Sequence, residues 1–223
     1  MCGRFAFYSP SEATAALFGA TGSVDLKPRY NIAPTQEIAA IRATEDHGRE
    51  LTTLRWGLVP FWAKDPSIGN RMINARAETV AEKPAYRAAY RKRRCLVLAD
   101  GFYEWKKEGS GKTPYLISLA SGEPFALAGL WEHWQAKDAD QSIDSATLIT
   151  TDANAFMSQL HHRMPVVLEP ETAERWMAGD EDLLDYVACH GPRLRAWPVD
   201  RRVNNARNEG AELIEPVGDS VVS

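Results

Sequence analysis

Cys2, the second residue of the chain, has the greatest capacity for chemistry. Removal of Met1 would leave Cys2 with a free α-amine and a thiol on adjacent carbon atoms. This pair, a 1,2-aminothiol, condenses with an aldehyde: the amine forms a Schiff base, and the sulfur then closes a thiazolidine ring. An α-amine titrates near ~8 and a free thiol near ~8.5, so both are partly nucleophilic at neutral pH. The alternative is that Cys2 is simply a buried structural cysteine.

An amide and a guanidinium lie two residues apart at Asn74 and Arg76. On an extended backbone, both side chains point to the same side of the strand. Asn can orient a nucleophile or a carbonyl group, and Arg can clamp a phosphate. The alternative is an Asn that forms a turn, followed by a surface Arg.

A second group of candidates combines a carboxylate with a histidine. Glu104 lies within the aromatic stretch 102–105, where loss of solvation would raise its pKa and make it a proton shuttle near neutrality. On a solvated face it would be only a surface residue. In segment 160–165, His161 could act as a general acid or base, and Arg163 could hold a phosphate. We predict no metal site, because this segment supplies too few ligands for zinc.

Three large aromatic residues, Trp56, Phe61 and Trp62, stand beside Gly57 and Pro60, where a regular strand cannot continue. Aromatic rings on irregular backbone serve either as core plugs or as platforms on which unstacked bases lie. The sequence alone leaves both interpretations open.

The composition is that of an ordinary soluble globular protein, with 223 residues, 44% hydrophobic and 25% charged. No apolar run approaches the roughly 20 residues that span a bilayer, and the first residues lack the apolar core of a secretory signal. The three cysteines show no CxxC spacing, which argues against a disulfide framework. We therefore expect a cytoplasmic protein without a membrane partner.

Charge is distributed unevenly along the chain, whose net charge is −4. Residues 71–107 contain ten Lys or Arg against four Asp or Glu, whereas residues 108–162 are acidic. A protein polarised in this way can present a basic groove despite its acidic total. The alternative is that the basic run at 91–94 is only a solvated face.

Strand patterns outnumber helix patterns and do not alternate with them. Strands are predicted at 38–42, 51–56, 95–99, 102–105, 115–119, 125–131, 147–151 and 166–168. Helices are predicted from a capping box at Ser9 to Gly19, at 85–93, at 170–178, and in a short segment capped by Asp152. We predict a single-domain α+β fold over residues 1–216, with a largely antiparallel, barrel-like β core and several short helices around it. The tail 217–223 is expected to be frayed.

Taken together, several segments resemble the successive motifs of the SOS response-associated peptidase (SRAP) family. The segments are MCGRF (1–5), RYNIAP (29–34), RWGLVP (55–60), INARAET (73–79), DGFYEW (100–105), HHRMP (161–165) and NARNEGAELIEP (205–216). They occur in the family's order and cover nearly the whole chain.

The resemblance implies a function in the DNA damage response. Members of this family sense abasic sites in single-stranded DNA and bond covalently to them. If the matching residues of this chain act as in the family, Cys2 would form the thiazolidine crosslink after removal of Met1, and Asn74 would position the Cys2 amine and the sugar. Glu104 would handle protons, both in crosslinking and in autocatalytic Met1 removal, and His161 would assist ring opening. An abasic-site lyase activity is also compatible with this resemblance.

The resemblance also implies the contacts to DNA. Arg4, Arg76 and Arg163 would hold the phosphates that flank the lesion, while Trp62 and Pro34 would pack against the adjacent bases. We expect no cofactor, a monomer, and association with the nucleoid when DNA is bound; partners at the replication fork cannot be inferred.

Two other functions stay open at this point. An N-terminal-nucleophile cysteine peptidase would use the α-amine of Cys2 as a general base and turn over peptides in trans. A non-enzymatic binder of single-stranded DNA or RNA would use the Arg and Trp residues but leave Cys2 idle.

Overall fold

The computed structural model of the chain describes residues 2–137 and 140–219, and the backbone of residues 221–222. The strands are β1 (Phe5–Phe7), β2 (Arg29–Ile32), β3 (Glu37–Ala43), β4 (Arg49–Trp56), β5 (Asn74–Arg76), β6 (Arg94–Ala99), β7 (Gly101–Glu108), β8 (Gly111–Leu119), β9 (Phe125–Gln135), β10 (Ser142–Asp152), β11 (Arg163–Pro165), β12 (Val167–Leu168), β13 (Leu194–Pro198) and β14 (Val221–Val222). The α-helices are α1 (Ser11–Leu17), α2 (Arg87–Lys92), α3 (Pro170–Met177) and α4 (Leu183–His190), and short 3₁₀ helices lie at Pro66–Arg71, Ala77–Thr79, Met157–Gln159, Arg201–Asn204 and Ala211–Leu213.

Five strands close into a barrel in the order β10, β4, β3, β6, β9 and back to β10. All neighbours are antiparallel except β10 and β4, which pair in parallel where Ala146 lies opposite Trp56. Closure of the ring satisfies the backbone hydrogen bonds of both edges. Strand β6 is buried at every residue, because α3 packs over it and the Trp176 indole donates a hydrogen bond of 3.0 Å to the Cys95 carbonyl.

Strand β10 continues beyond the barrel and carries two additional short strands. Asn74 of β5 lies opposite Leu148 in parallel pairing, and Arg163 of β11 lies opposite Asp152 in antiparallel pairing. Thr150 of β10 therefore stands between β5 and β11. This extension brings segments that are almost ninety residues apart in the chain to one end of the barrel.

A second, six-stranded sheet has the order β14, β13, β8, β7, β1, β2. Strand β1 pairs with β7, so that Phe5 lies opposite Phe102. Along β7, Phe102 packs in the main core, whereas Tyr103 packs in a separate cluster with Val203 on the other side. Because side chains alternate along a strand, Glu104 shares the Phe102 side.

The predicted α+β class, with its barrel-like β core and short surrounding helices, is confirmed. All eight predicted strands are present. Helix α3 agrees with the prediction for 170–178, and it is followed by Gly179 at a positive φ of 87°. The sequence reasoning missed the short strands β1, β2, β5, β11, β13 and β14, since segments of two to five residues leave little periodicity to detect. It also missed the eight-residue helix α4.

Two predicted helix caps are wrong. The Ser9 hydroxyl donates to Asp100 at 2.6 Å instead of capping α1, which begins at Ser11. Asp152 ends β10 and accepts a hydrogen bond from Arg163, and Asn154 instead accepts from the Met157 N–H at 2.9 Å. In both cases the side chain that the local sequence predicted as a helix cap bonds instead to a residue outside that segment.

At the C-terminal end, the backbone of the last strand, β14, is described. Val221 and Val222 pair with Ala196 and Arg195 of β13, while Ser220 and Ser223 lie outside the described residues. The frayed tail and the domain limit at 216 stay predictions. No helix within the described ranges is long and apolar enough to cross a membrane.

Candidate active site

Cys2 lies just before β1 and is completely buried. Its carbonyl oxygen accepts a hydrogen bond of 2.8 Å from the Asn74 side-chain Nδ2, and its Sγ lies 4.0 Å from the Arg4 carbonyl oxygen. The six-stranded sheet therefore supplies the cysteine, and the barrel extension supplies the amide that holds its backbone.

Asn74 is positioned by the pairing of β5 with β10 and by a 3.3 Å hydrogen bond from the Tyr86 hydroxyl to the Asn74 carbonyl. Its Oδ1 is buried and has no hydrogen-bond partner among the described residues. A buried acceptor without a donor is costly. Asn74 can therefore accept a hydrogen bond from a group that enters beside Cys2.

Glu104 lies on β7 with only 3% of its surface exposed. Burial raises the pKa of the Glu104 carboxyl to about 7, as predicted for a carboxylate among aromatic residues. Burial also raises the pKa of the Cys2 thiol, and the negative charge of Glu104 raises it further. The thiol therefore holds its proton at neutral pH, and a carboxyl that titrates near pH 7 lies within electrostatic range of it.

His161 stands in the segment that leads into β11. The backbone N–H of Arg163 donates to His161 Nδ1 at 3.1 Å, and the ring of the exposed His162 lies 4.3 Å away, centre to centre. Burial lowers the pKa of the His161 imidazole, so the ring is neutral at pH 7. Lys112 lowers the pKa of both His161 and Glu104 as a minor cause, so both lie within range of one charge.

Arg163 is committed to internal contacts. Its guanidinium forms ion pairs of 2.6 Å with both Glu78 and Asp152 and donates to the Thr150 carbonyl at 2.7 Å. Only 8% of the residue is exposed. Arg163 therefore joins β11 to β10 and to the 3₁₀ helix Ala77–Thr79, and its predicted phosphate contact would require an exchange of these bonds.

Arg4 is half-buried and also has internal partners. Its Nη1 donates to Asn31 Oδ1 at 2.6 Å and to the Val203 carbonyl at 2.8 Å, and its guanidinium lies 5.9 Å from the centre of the Trp105 ring. The buried Asn31 amide in turn donates to the carbonyls of Val203, Asn205 and Asn208. These hydrogen bonds join the segment just before β1 to residues 203–208 near the C-terminal end.

The other predicted DNA contacts lie at the surface. Arg76 is exposed and forms no ion pair with any described residue, and Trp62 is 50% exposed. Pro34 is half-buried in the turn before β3, where the Thr35 N–H donates to the Trp56 carbonyl at 2.8 Å. The turn that carries Pro34 therefore contacts the end of β4, where the loop that carries Trp62 begins.

The family model for SOS response associated peptidase (SRAP) matches residues 1–206 of the chain. The chain belongs to the SRAP family. This confirms the resemblance drawn from the motifs.

Several named proteins resemble this SRAP chain over most of its length. It is 39% identical to abasic site processing protein YoaM of Bacillus subtilis, covering 96% of this chain and 98% of YoaM. It is 33% identical to abasic site processing protein YedK of Escherichia coli, covering 97% and 100% of the two chains. A crystal structure of a Bacteroides thetaiotaomicron protein superimposes with a TM-score of 0.83 at 26% identity, covering 97% of this chain and 100% of that one.

The structure adds residues to the SRAP site that sequence reasoning missed. Glu78 holds Arg163, Asn31 holds Arg4, and Lys112 adds a positive charge near Glu104 and His161. Glu78 and Asn31 lie inside two of the family motifs, and this location could have marked them as site residues. Lys112 lies outside every motif, so the sequence offered no indication of its role. The described residues contain no cluster of three or more metal-ligating side chains.

Proposed function

We propose that this protein recognises abasic sites in single-stranded DNA and bonds to them covalently through Cys2 once Met1 has been removed. The observation that supports this most directly is the joint placement of Asn74 and Glu104 around Cys2. Asn74 holds the Cys2 carbonyl at 2.8 Å, and the buried Glu104 acts on the Cys2 thiol electrostatically. The relatives YoaM and YedK are named abasic site processing proteins, which supports the same class of substrate.

The proposed chemistry forms a thiazolidine with the loss of one water molecule. The α-amine of Cys2 attacks the open-chain aldehyde of the abasic sugar, and the carbonyl oxygen leaves as water to give a Schiff base. The Cys2 sulfur then bonds to the same carbon atom, and the nitrogen gains the proton that the thiol loses. The resulting crosslink would shield the lesion from strand scission.

Glu104 suits the proton transfers of this sequence. Because burial raises the pKa of the Cys2 thiol, the sulfur needs a proton acceptor when it attacks. A carboxyl whose pKa is about 7 exists in both forms near neutrality and can therefore accept and return that proton. The same pair, Cys2 and Glu104, is proposed to act in the removal of Met1, a residue that lies outside the described part of the chain.

His161 would assist the opening of the cyclic sugar. An abasic deoxyribose exists mainly as a hemiacetal, so a base must take the hydroxyl proton before the aldehyde appears. The lowered pKa of His161 keeps its imidazole neutral and able to accept that proton. A lyase activity at the same sugar is a further part of this proposal.

The exposed Arg76 and Trp62 are the proposed contacts to the DNA flanking the lesion, with Pro34 beside them. Arg binds phosphate, and an exposed Trp provides a stacking face for a base. Phosphate contacts by Arg4 and Arg163 stay predictions, since both guanidinium groups have internal partners.

Intact-protein mass spectrometry, before and after incubation with an abasic single-stranded oligonucleotide, tests this function. We expect a starting mass short of one methionine, then a shift by one oligonucleotide minus one water. A processed protein without an adduct would contradict the proposal. Cleavage of a peptide in trans by that same processed protein would instead support the N-terminal-nucleophile peptidase.

A further inference from the structure

Cys2 lies at the end of the chain, where a nucleophile has few neighbours to hold it. The pairing of β1 with its neighbouring strands begins only at Phe5, which lies opposite Ile32 of β2 and Phe102 of β7. Chain ends fray unless other contacts fix them. The position of Cys2 therefore depends on the contacts that residues 2–4 make outside this pairing.

Two of these contacts hold the backbone. The Asn74 side chain donates to the Cys2 carbonyl at 2.8 Å, and the Tyr103 N–H donates to the Arg4 carbonyl at 2.9 Å. The Arg4 carbonyl oxygen is also the atom that lies 4.0 Å from the Cys2 sulfur. A shift of Arg4 would therefore move the surroundings of the reactive sulfur.

The side chain of Arg4 is held by Asn31. One guanidinium nitrogen of Arg4, Nη1, donates to Asn31 Oδ1 at 2.6 Å and to the Val203 carbonyl at 2.8 Å. A hydrogen bond from a charged donor is about twice as strong as one between neutral groups. Asn31 is completely buried, so its oxygen offers this bond from a fixed position.

The amide nitrogen of Asn31 holds the second acceptor of Arg4 in place. It donates to the carbonyls of Val203 at 3.3 Å, Asn205 at 3.0 Å and Asn208 at 2.9 Å. An amide carries only two N–H hydrogens, so three carbonyls share them. Asn31 thus acts as acceptor toward Arg4 and as donor toward residues 203–208, and neither aspartate nor an apolar residue could do both.

Residues 203–208 are in turn docked on the two strands that flank β1. On the side of β2, Glu209 accepts from Arg29 Nε at 2.7 Å and from the Tyr30 N–H at 2.9 Å. On the side of β7, the Trp105 indole donates to Asn204 Oδ1 at 2.7 Å. The motif at 205–216, to which the proposed chemistry assigns no step, therefore forms part of the support of the N-terminal segment.

We propose that Asn31 is a positioning residue for Cys2. Its oxygen holds the Arg4 guanidinium, its nitrogen holds the carbonyl that Arg4 also uses, and together these bonds keep residues 2–4 in the arrangement from which Cys2 attacks. The proposal rests on the proposed function, because the reaction that is positioned is the crosslink. It predicts that loss of Asn31 releases the N-terminal segment locally while the barrel stays folded.

The three cysteines of the chain allow this release to be measured directly. Under native conditions, iodoacetamide should alkylate the exposed Cys189 in every variant, which gives a reference rate. Cys95, buried in the barrel, should be alkylated only through global unfolding. The buried Cys2 reports on its own segment. Mass spectrometry of the three cysteine peptides yields the three rates from one sample.

For Asn31→Ala we expect alkylation of Cys2 to be at least about tenfold faster than in the wild type, the effect of losing one charge-assisted hydrogen bond. The rates at Cys95 and Cys189 should not change. Arg4→Met removes the other partner of this bond and leaves the Asn31 amide bonds intact, so it should also speed alkylation of Cys2 and serves if Asn31→Ala unfolds. Ser9→Ala, which removes a 2.6 Å hydrogen bond to Asp100 beyond the other end of β1, is the matched control and should behave like the wild type.

Crosslinking kinetics then test whether the release affects the reaction. With an abasic oligonucleotide at increasing concentration, Asn31→Ala should lower the maximal single-turnover rate by about tenfold. The concentration that gives half the maximal rate should stay within about twofold, because a positioning residue does not touch the DNA. A residue needed only for global stability would change neither value in the folded fraction.

Three results would overturn the proposal. They are unchanged alkylation of Cys2 in both variants, faster alkylation of Cys95 together with Cys2 in both variants, and faster alkylation of Cys2 with an unchanged maximal rate. A wild-type protein that forms no crosslink would contradict the proposed function instead, and the alkylation rates would still show whether Asn31 holds the N-terminal segment.

Discussion

Cys2 and Cys95 are both completely buried thiols, but their surroundings differ. Burial raises the pKa of both. Cys2 has a buried amide hydrogen-bonded to its carbonyl and a buried carboxyl in electrostatic range. Cys95 lies in the barrel wall, packed so closely on Gly129 that a Cβ added there would come within 2.9 Å of its Sγ.

The comparison shows that burial alone leaves a thiol protonated and inert. A buried cysteine becomes useful when a group that can take its proton is buried with it, since a low dielectric strengthens the coupling between them. Under the proposed function, Glu104 would fulfil that condition for Cys2. For Cys95 the charge that acts on the thiol comes from Arg42, and it opposes the effect of burial.

The largest expected effect separates the two thiols directly. Cys2→Ala should abolish the covalent adduct with an abasic oligonucleotide, because the sulfur that closes the ring is gone. Cys95→Ala is the matched control: it should keep the adduct and lose about 1 kcal/mol of unfolding free energy. The readouts are denaturing gel shift and chemical denaturation. A heat-stable adduct in Cys2→Ala would overturn the proposed chemistry.

Removal of the Glu104 carboxylate should leave the Cys2 thiol, like that of Cys95, without a buried proton acceptor. Glu104→Gln keeps the shape of the side chain but cannot carry the proton, so we expect adduct formation to slow by about 10²–10⁴-fold. In the wild type the rate should rise with pH through about 7, where Glu104 ionises, and the variant should lack that rise. Single-turnover rates on processed protein between pH 5.5 and 8.5 measure both; identical profiles would remove Glu104 from the site.

The same carboxyl should reduce the stability of the fold at alkaline pH. The pKa of Glu104 is about 7 in the folded state and about 4.3 in an unfolded chain. The folded protein therefore holds a proton that the unfolded chain releases, and this stabilisation is full below pH 4.3 and lost as the pH rises through 7. Glu104→Gln should exceed the wild type in unfolding free energy by an amount that grows between pH 5 and 8, by on the order of 2 kcal/mol. A constant difference would contradict the buried, proton-binding carboxyl.

The smallest expected effect concerns Arg163 and its internal ion pairs. Arg163→Ala removes bonds to Glu78, Asp152 and Thr150, but both carboxylates are partly exposed and can be rehydrated. We therefore expect a loss of only about 1–2 kcal/mol of unfolding free energy, against the 3–5 kcal/mol typical of fully buried pairs.

Arg76→Ala, on β5, which also pairs with β10, is the matched control for Arg163→Ala. It should leave the stability unchanged, because Arg76 is exposed, and weaken binding to an oligonucleotide with a tetrahydrofuran abasic analogue, which lacks the aldehyde and cannot crosslink. Equal stability of the two variants would mean that Arg163 does not brace the site.

Much of the site followed from residue types and local order. The buried carboxyl at Glu104 was predicted from its aromatic neighbours. The spacing of Asn74 and Arg76 left a strand and a turn both open, and the structure has the strand β5 there. Seven of the eight predicted strands correspond to β3, β4 and β6 to β10, each with at least six residues, which suffice to show a buried or alternating pattern.

Long-range partners could not be derived in this way. The sequence suggested Ser9 and Asp152 as helix caps, yet Asp100 binds Ser9 across 91 positions and Arg163 binds Asp152 across 11. A polar side chain bonds to whichever complementary group the fold places nearest, and local sequence contains only the nearby candidates.

The sequence by itself determined the family, the α+β class and the identity of the groups able to do chemistry, because those depend on residue type and order. Tertiary structure alone decided which arginines face outward and which have internal partners, and that Phe61 and Trp62 stand exposed. Exposure and pairing depend on which strands meet. The closed ring of β10, β4, β3, β6 and β9 decides that by joining residues far apart in the chain.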